Sequence, residues 1–198
     1  KRAGKLNAIL TAAATAYFAG DKAALDPAWF DVAFDVWLNR GGDGAARDLL
    51  DRALASEDPV FRPSAINVVA SSGSPSLARW LLEDFRDERL RASERRDLLS
   101  GIMAMRATRD IGYDWIKDNI DTLVSGRDGI FYARKLPGLF ARYCSVEKAS
   151  DLAITFRKKL AGTPGEVELE RVIEKVRNCG VLDDVQGNII SQDFAKLQ

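Results

Sequence analysis

Few side chains in this sequence could carry out chemistry, because the chain contains no histidine. Histidine is the usual general base near neutral pH and the commonest metal ligand in proteins. Its absence excludes Ser-His-Asp and Cys-His catalytic triads, H-E-x-x-H zinc sites and histidine-ligated haem. The two cysteines, Cys144 and Cys179, cannot build a zinc or iron–sulfur site by themselves. We therefore expect no metal site and no catalytic residue in this chain.

The remaining reactive groups do not form a catalytic pattern either. Carboxylates stand side by side at Glu83-Asp84, Asp87-Glu88 and Asp183-Asp184, but adjacent residues on a helix point in different directions. The glycine cluster at 41–44 has no strand before it and no Gly-Lys-Ser/Thr after it, so it indicates a loop between helices. Two cysteines do not make a disulfide framework, and we expect two partly buried free thiols on helices.

Composition limits the partners of the chain. It has 29 Lys+Arg and 29 Asp+Glu residues and hence no net charge, so bulk electrostatics do not attract it to nucleic acid or to an anionic membrane. No run of about 18 apolar residues predicts a membrane-spanning helix. Hydrophobic residues make up 46% of the chain, which is enough for a core. A cytoplasmic location is slightly favoured over a periplasmic one.

Helical periodicity runs from one end of the sequence to the other. Apolar residues recur at spacings of three and four, which places each set on one face of a helix. Examples are the sets at 45–54, 77–85, 111–124, 136–143, 149–160, 169–176 and 185–194. No stretch alternates long enough to predict a strand. The sequence predicts an all-α protein with about ten to twelve short helices.

Regular punctuation separates these helices. Predicted starts are Asp26-Pro27, Asp58-Pro59, Ser74-Pro75 and a cap at Ser93. Predicted breaks are Gly41-Gly42, the stretch from Gly126 to Gly129, and the loop at 162–165. Short helices joined by short loops indicate antiparallel hairpins stacked into a HEAT-like α-solenoid or bowl. We expect residues 1–198 to form a single helical domain.

Three stretches together resemble a known family. They are residues 90–94, 108–123 and 171–187. In the second stretch Trp115, Asn119, Ile120, Asp121 and Leu123 match a helix motif of the C-terminal domain of aminopeptidase N-like zinc aminopeptidases. In the first, Arg91 and Glu94 match that family's "Arg-x-Gln-Asp" element, with Ser93 in place of glutamine. The chain is therefore similar to this helical domain over most of its length.

The resemblance implies that the chain is the C-terminal part of a longer enzyme that removes N-terminal residues from peptides. The family's catalytic domain carries H-E-x-x-H and a Gly-Ala-Met-Glu-Asn-like motif, and this sequence has neither. Zinc is thus expected in that missing domain and not in this chain. The implied partners are the catalytic domain of the same polypeptide and the peptide substrate, over which the helical bowl closes.

The resemblance also suggests site residues. Arg91 either points into the chamber and meets a substrate carboxylate, or is a solvated arginine in a charged run. Arg134, with Lys135 and Arg142, either lines a basic surface that attracts peptide C-termini or belongs to a plain solvent-exposed face. For Trp115 and Asn119 we expect structural roles, in a helix–helix contact and a backbone hydrogen bond.

A second hypothesis comes from a different functional class. A free-standing HEAT-like scaffold would bind a partner helix or peptide on its concave face. Such a solenoid needs polar residues on its terminal repeats, whereas residues 8–18 are rich in apolar and small side chains. This composition favours the aminopeptidase domain over the scaffold.

Overall fold

The computed structural model describes residues 2–125 and 129–187, and within them it contains helices and no β-strand. The predicted all-α class is confirmed. The α-helices are α1 (Arg2–Phe18), α2 (Phe30–Leu54), α3 (Phe61–Ala70), α4 (Pro75–Glu83), α5 (Ala92–Ala104), α6 (Arg109–Ser125), α7 (Gly129–Leu139), α8 (Val146–Leu160) and α9 (Glu166–Leu182). The residues divide into two compact units, unit 1 ending at Gly112 and unit 2 beginning at Tyr113. The solenoid or bowl and the single-domain organisation stay predictions.

Side-chain caps mark several helix starts where the sequence predicts them. Asp26, Asp58 and Ser74 accept hydrogen bonds from the backbone N–H groups of Ala28, Phe61 and Leu77, at 2.9, 3.0 and 3.4 Å. These bonds satisfy donors that the first turn of a helix leaves without a partner. The predicted break at Gly41-Gly42 is a kink inside α2, where Gly42 has a φ of 63° that favours glycine.

The predicted cap at Ser93 is wrong. Helix α5 begins at Ala92, and Arg91 is the residue that precedes it. The start is held by Glu94, whose Oε2 accepts the Arg91 backbone N–H at 2.8 Å. A carboxylate in the first turn can satisfy the exposed donor at the helix start, so Ser93 is not needed as a cap.

Unit 1 is built around an aromatic cluster contributed by α1, α2 and α3. Tyr17, Phe30, Phe34 and Phe61 are all buried. Their ring centroids lie 5.1 Å apart for Tyr17 and Phe30, 4.9 Å for Phe30 and Phe34, and 5.6 Å for Phe34 and Phe61. Each pair lies within the range in which aromatic rings attract one another. This cluster fixes α3 against α2, and α5 packs on α3.

Unit 2 has a smaller aromatic cluster. The ring centroid of the buried Tyr113 lies 5.7 Å from that of Phe140 and 5.8 Å from that of Phe156. The Tyr113 hydroxyl donates to Asp151 Oδ2 at 2.7 Å, which satisfies a polar group inside the core. Burial and the Asp151 carboxylate raise the pKa of Tyr113.

The predicted free thiols are wrong, because Cys144 and Cys179 form a disulfide. Cys144 comes just before α8 and Cys179 lies in the last turns of α9. The bridge therefore joins the start of one helix to the end of the next, which requires α8 and α9 to be antiparallel. The two cysteines are 35 residues apart in sequence, and only this return of the chain brings them together.

No helix in residues 2–125 and 129–187 combines the length and apolar character needed to cross a bilayer. Two sequence predictions lie outside the described residues. They are the start of the predicted break, at Gly126, and positions 189–194 of the last predicted apolar set.

Candidate functional site

A basic cleft lies between α7 and α9 in unit 2. Its volume is about 390 Å³. Both helices and the loop between α8 and α9 contribute to its lining, which consists of Arg134, Lys135, Gly138, Pro164, Val167, Glu168 and Arg171. The cleft contains the sequence-predicted Arg134, and we call it the basic cleft below.

The residues of α7 place Arg134 and Lys135 at the cleft. Tyr132, Ala133, Leu136 and Pro137 of this helix are buried, whereas both cations are exposed. The buried residues anchor α7 in unit 2 and leave its other face to solvent. Val172 and Ile173 anchor α9 in the same way and leave Val167 and Arg171 exposed.

A close backbone approach brings α9 to α7. A Cβ atom on Gly165 would lie 1.8 Å from the Ala133 carbonyl oxygen, so the loop can pack here only with glycine. Pro137 stands four residues after Ala133 and has no N–H to donate to that oxygen. Gly165 therefore provides the space for the loop, and Pro137 leaves the Ala133 carbonyl without its helical hydrogen bond, so that the loop can pack against it.

Positive charge dominates the basic cleft. It holds three cations, and its one carboxylate, on Glu168, is 3.6 Å from Arg171 Nη1. Neither Arg134 nor Lys135 is in an ion pair among the described residues. An arginine fork beside a lysine is suited to bind a carboxylate or phosphate. Arg142 lies in the turn after α7 and does not line the described part of the cleft.

Arg91 lies in unit 1, at the start of α5, and is not in the same unit as Arg134. Its side chain is 56% exposed, and its Nη2 atom is 2.9 Å from Glu57 Oε2. Its Nε atom is 3.9 Å from Glu94 Oε1. The guanidinium is thus at the surface and already engaged by carboxylates, and a substrate would have to compete with Glu57.

The structure brings Trp115 and Asn119 together on α6. The Asn119 side-chain amide donates to the Trp115 backbone carbonyl at 2.9 Å, one helical turn earlier. Both side chains are half-buried. The hydrogen bond lies inside α6 and joins two successive turns of the helix.

A buried ion pair in unit 1 was not predicted from the sequence. Arg62 Nε and Nη2 donate to the two oxygens of Glu94 at 2.7 and 2.9 Å, and the two side chains are 4% and 9% exposed. Arg62 also donates to the carbonyl oxygens of Leu54 at 2.8 Å and Arg89 at 2.7 Å. The signal in the sequence is an arginine in the apolar helix α3.

This ion pair controls the titration of Glu94. Burial by itself raises the pKa of the carboxyl, but hydrogen bonds from Arg62 and from the Arg91 N–H outweigh burial and hold that pKa below its usual range. The bond to Glu94 likewise raises the pKa of Arg62. Both groups stay charged at neutral pH, and their hydrogen bonds join α3 to α5 and to the backbone carbonyls of Leu54 and Arg89.

The described residues do not fit a zinc ion. No group of three or more histidine, cysteine or carboxylate side chains that could hold a metal lies in residues 2–125 and 129–187. The cysteines are consumed by their disulfide, and the chain has no histidine to take their place. No catalytic step can be assigned to a metal held by these residues.

Comparison with known proteins gives one family. No curated protein matches the chain. Residues 2–178 match the family described as "ERAP1-like C-terminal domain". The match spans the basic cleft, the Arg62–Glu94 pair and the helix that carries Trp115 and Asn119, and it agrees with the resemblance to aminopeptidase C-terminal domains. The chain therefore belongs to the family of ERAP1-like C-terminal domains.

Proposed function

We propose that this chain is the domain of a zinc-dependent aminopeptidase that encloses the active-site chamber and contributes to substrate access and selection. The match of residues 2–178 to an aminopeptidase C-terminal domain family carries this proposal. The zinc and the catalytic groups would belong to the catalytic partner domain, because the described residues of this chain do not fit them. The contribution of this chain is then to binding and enclosure.

The basic cleft supports a role in binding the carboxyl end of a peptide. Arg134 and Lys135 offer two cations without ion-pair partners in the described chain, and Val167 and Pro164 add apolar surface beside them. A peptide C-terminus presents a carboxylate, which the two cations can bind, next to a side chain, which the apolar surface can contact. A contact at that end adds binding energy remote from the scissile bond, which can be expressed in the transition state.

The exposed apolar residues of α1 support a catalytic partner domain. Leu6 and Ile9 are about half exposed on this helix. Contact with another domain would remove this apolar surface from water, so Leu6 and Ile9 favour a partner domain. The scaffold remains the alternative, and it predicts a polypeptide without an H-E-x-x-H motif and without zinc. Metal analysis of the polypeptide that contains this domain separates the two.

Peptide binding to this chain tests the basic cleft directly. We expect a short peptide with a free carboxylate to bind more tightly than the same peptide with a C-terminal amide, measured by calorimetry at low salt. Arg134→Ala should lower the affinity for the free carboxylate about tenfold, because a hydrogen bond to a charged group contributes about 1.5–3 kcal/mol. Arg106→Ala is the control, since Arg106 is an exposed arginine in unit 1.

Equal affinity for the acid and the amide would contradict the proposed carboxylate site. Equal losses for Arg134→Ala and Arg106→Ala would show that only net charge matters. An unchanged circular dichroism spectrum and melting temperature for both variants ensures that the comparison reports on binding.

The proposed chamber role is tested in the whole enzyme through Arg91. If Arg91 faces the chamber, Arg91→Ala should lower kcat/KM about tenfold or more. A loss confined to peptides means contact with the distal carboxylate, and a loss shared by single-residue chromogenic substrates means contact with the pocket. Glu57→Ala is the matched control, because it frees the Arg91 guanidinium and should not lower kcat/KM. An unchanged kcat/KM for Arg91→Ala assigns Arg91 to the solvent-exposed surface.

The disulfide supports one further part of this proposal, which concerns the compartment. Disulfides persist in oxidising compartments and are rare in the cytosol. The Cys144–Cys179 bridge therefore favours an oxidising compartment over the cytoplasmic location that the sequence slightly favours. Labelling free thiols at the moment of cell lysis tests this, since a cytosolic chain would be labelled at both cysteines.

A further inference from the structure

The Cys144–Cys179 disulfide lies at the open end of the α8–α9 hairpin. Cys144 precedes Ser145, which caps α8 by accepting the Lys148 N–H at 3.0 Å. Cys179 is three residues before the end of α9 at Leu182. Both cysteines are exposed to solvent. The sulfur atoms therefore belong to a surface-accessible bridge and not to a core cross-link.

The last turn of α9 is partly exposed, and the chain continues from it as a short π-helix, Asp183–Gly187. Val176 and Gly180 are its last buried residues, whereas Val181 and Leu182 are 50% and 54% exposed. Gly180 packs backbone against backbone, since a Cβ there would lie 2.6 Å from the Val146 nitrogen. This approach is as close as glycine allows. Among the described residues, the bridge is the covalent restraint on this end of the helix.

We propose that Cys144–Cys179 is a reversible thiol–disulfide exchange site whose opening by a dithiol reductant releases the last turn of α9. A thiolate of the reductant attacks one sulfur, the S–S bond breaks, and the bond pair leaves on the other sulfur, which takes up a proton. The second thiol of the reductant then closes on the mixed disulfide and releases the first cysteine as a thiol. The reductant becomes a disulfide, and the chain gains two electrons and two protons.

The exposure of the bridge is what favours reversibility. Exposed disulfides are open to attack and are the labile ones, whereas buried structural bridges resist reduction. Leu169, Val172, Ile173 and Val176 hold the first part of α9 in the core. Opening the bridge should therefore loosen only the end of the helix, and the half that contributes Val167 and Arg171 to the basic cleft should stay in place.

Hydrogen exchange measured by mass spectrometry tests the proposal on the intact chain. Under native conditions with dithiothreitol, the chain should gain two hydrogen masses, and both cysteines should react with N-ethylmaleimide. Exchange of amides 177–187 should then accelerate at least about tenfold, while amides 169–176 change much less. The melting temperature should fall by roughly 5–15 °C.

The double variant Cys144→Ser/Cys179→Ser is the matched control. It should exchange like the reduced chain and show no response to dithiothreitol. Thiols that appear only together with global unfolding would overturn the proposal, as would unchanged protection of amides 177–187 after reduction. Peptide affinity is measured on the oxidised and the reduced chain, so that a failure of this proposal can be told from a failure of the proposed carboxylate site. We expect reduction of the bridge to leave that affinity unchanged.

Discussion

Unit 1 and unit 2 each bury an aromatic cluster, but they join distant parts of the chain by different means. In unit 1 Arg62 and Glu94, 32 residues apart, form an ion pair that is almost completely buried. In unit 2 Cys144 and Cys179, 35 residues apart, form an exposed covalent bridge. The two sequence separations are nearly equal, so the links differ in their chemistry and burial and not in the length of chain that they close.

The two links depend on burial in different ways. In a buried ion pair, each charge compensates the other for the hydration that it has lost. Removing one partner therefore leaves an uncompensated charge in the core. A disulfide acts largely by restricting the unfolded chain, and it can do so from the surface. We therefore expect unit 1 to be sensitive to substitution and to pH, and unit 2 to reductant.

The largest expected effect is the loss of Glu94. Glu94→Ala should destabilise the chain by about 3–5 kcal/mol, because Arg62 would stay buried without its carboxylate. The measurement is urea unfolding followed by circular dichroism. A loss below about 1 kcal/mol would mean that water reaches Arg62 and would remove the contrast between the units.

A pH dependence should accompany this ion pair. The folded-state pKa of Glu94 lies below its ordinary value of 4.5, so its contribution to stability is complete above that pH and is lost as the pH falls through the folded pKa. Unfolding at pH values from 6 downward should therefore show a steeper loss of stability in the wild type than in Glu94→Gln. Parallel curves would assign acid unfolding to other carboxyls.

Removing the disulfide should have the next largest effect. Cys144→Ser/Cys179→Ser should lower the free energy of unfolding by about 2–4 kcal/mol, the range expected for a closed loop of this length. The wild type in reductant should match the variant. Reductant should also lower the free energy of unfolding of Glu94→Ala by about the same amount as that of the wild type, because the two links lie in different units. Non-additive losses would show that the two links are energetically coupled.

Tyr113 should contribute less than either link. Tyr113→Phe removes its hydrogen bond to Asp151 and keeps the ring, so we expect a loss of about 0.5–1.5 kcal/mol. The raised pKa of Tyr113 implies a contribution that is present below the ordinary value of 10.0 and is lost as the pH rises through the folded pKa. The stability of Tyr113→Phe should therefore depend less on pH above 10.0.

The smallest expected effect is at an exposed ion pair of unit 2. Arg157 and Glu170 meet at 2.7 Å, the same distance as the closest contact of Arg62 and Glu94, but both side chains are about half exposed. Solvent and salt screen such pairs. Arg157→Ala should leave the unfolding midpoint unchanged, and a clear loss would show that distance rather than burial sets the strength of these pairs.

Much of the local structure was predictable from the sequence, because helix formation depends on neighbours along the chain. The period of apolar residues gave the all-α class, and the caps at Asp26, Asp58 and Ser74 lie where short-range hydrogen bonds place them. The predicted cap at Ser93 was wrong because Glu94, one residue away, takes that role at the helix start, where an arginine on another helix holds it in place. The family was also recognisable, since its motif on α6 is local.

The contacts between distant residues were settled only by tertiary structure. The pairing of Cys144 with Cys179 depends on α9 returning antiparallel to α8, which neither helix specifies by itself. Arg62 meets Glu94 only because α5 packs on α3. Arg134 and Arg171 line one cleft only because Gly165 packs on α7. Periodicity and capping are short-range effects that can be read along the chain, whereas packing brings together residues whose separation in sequence carries no information about their distance in space.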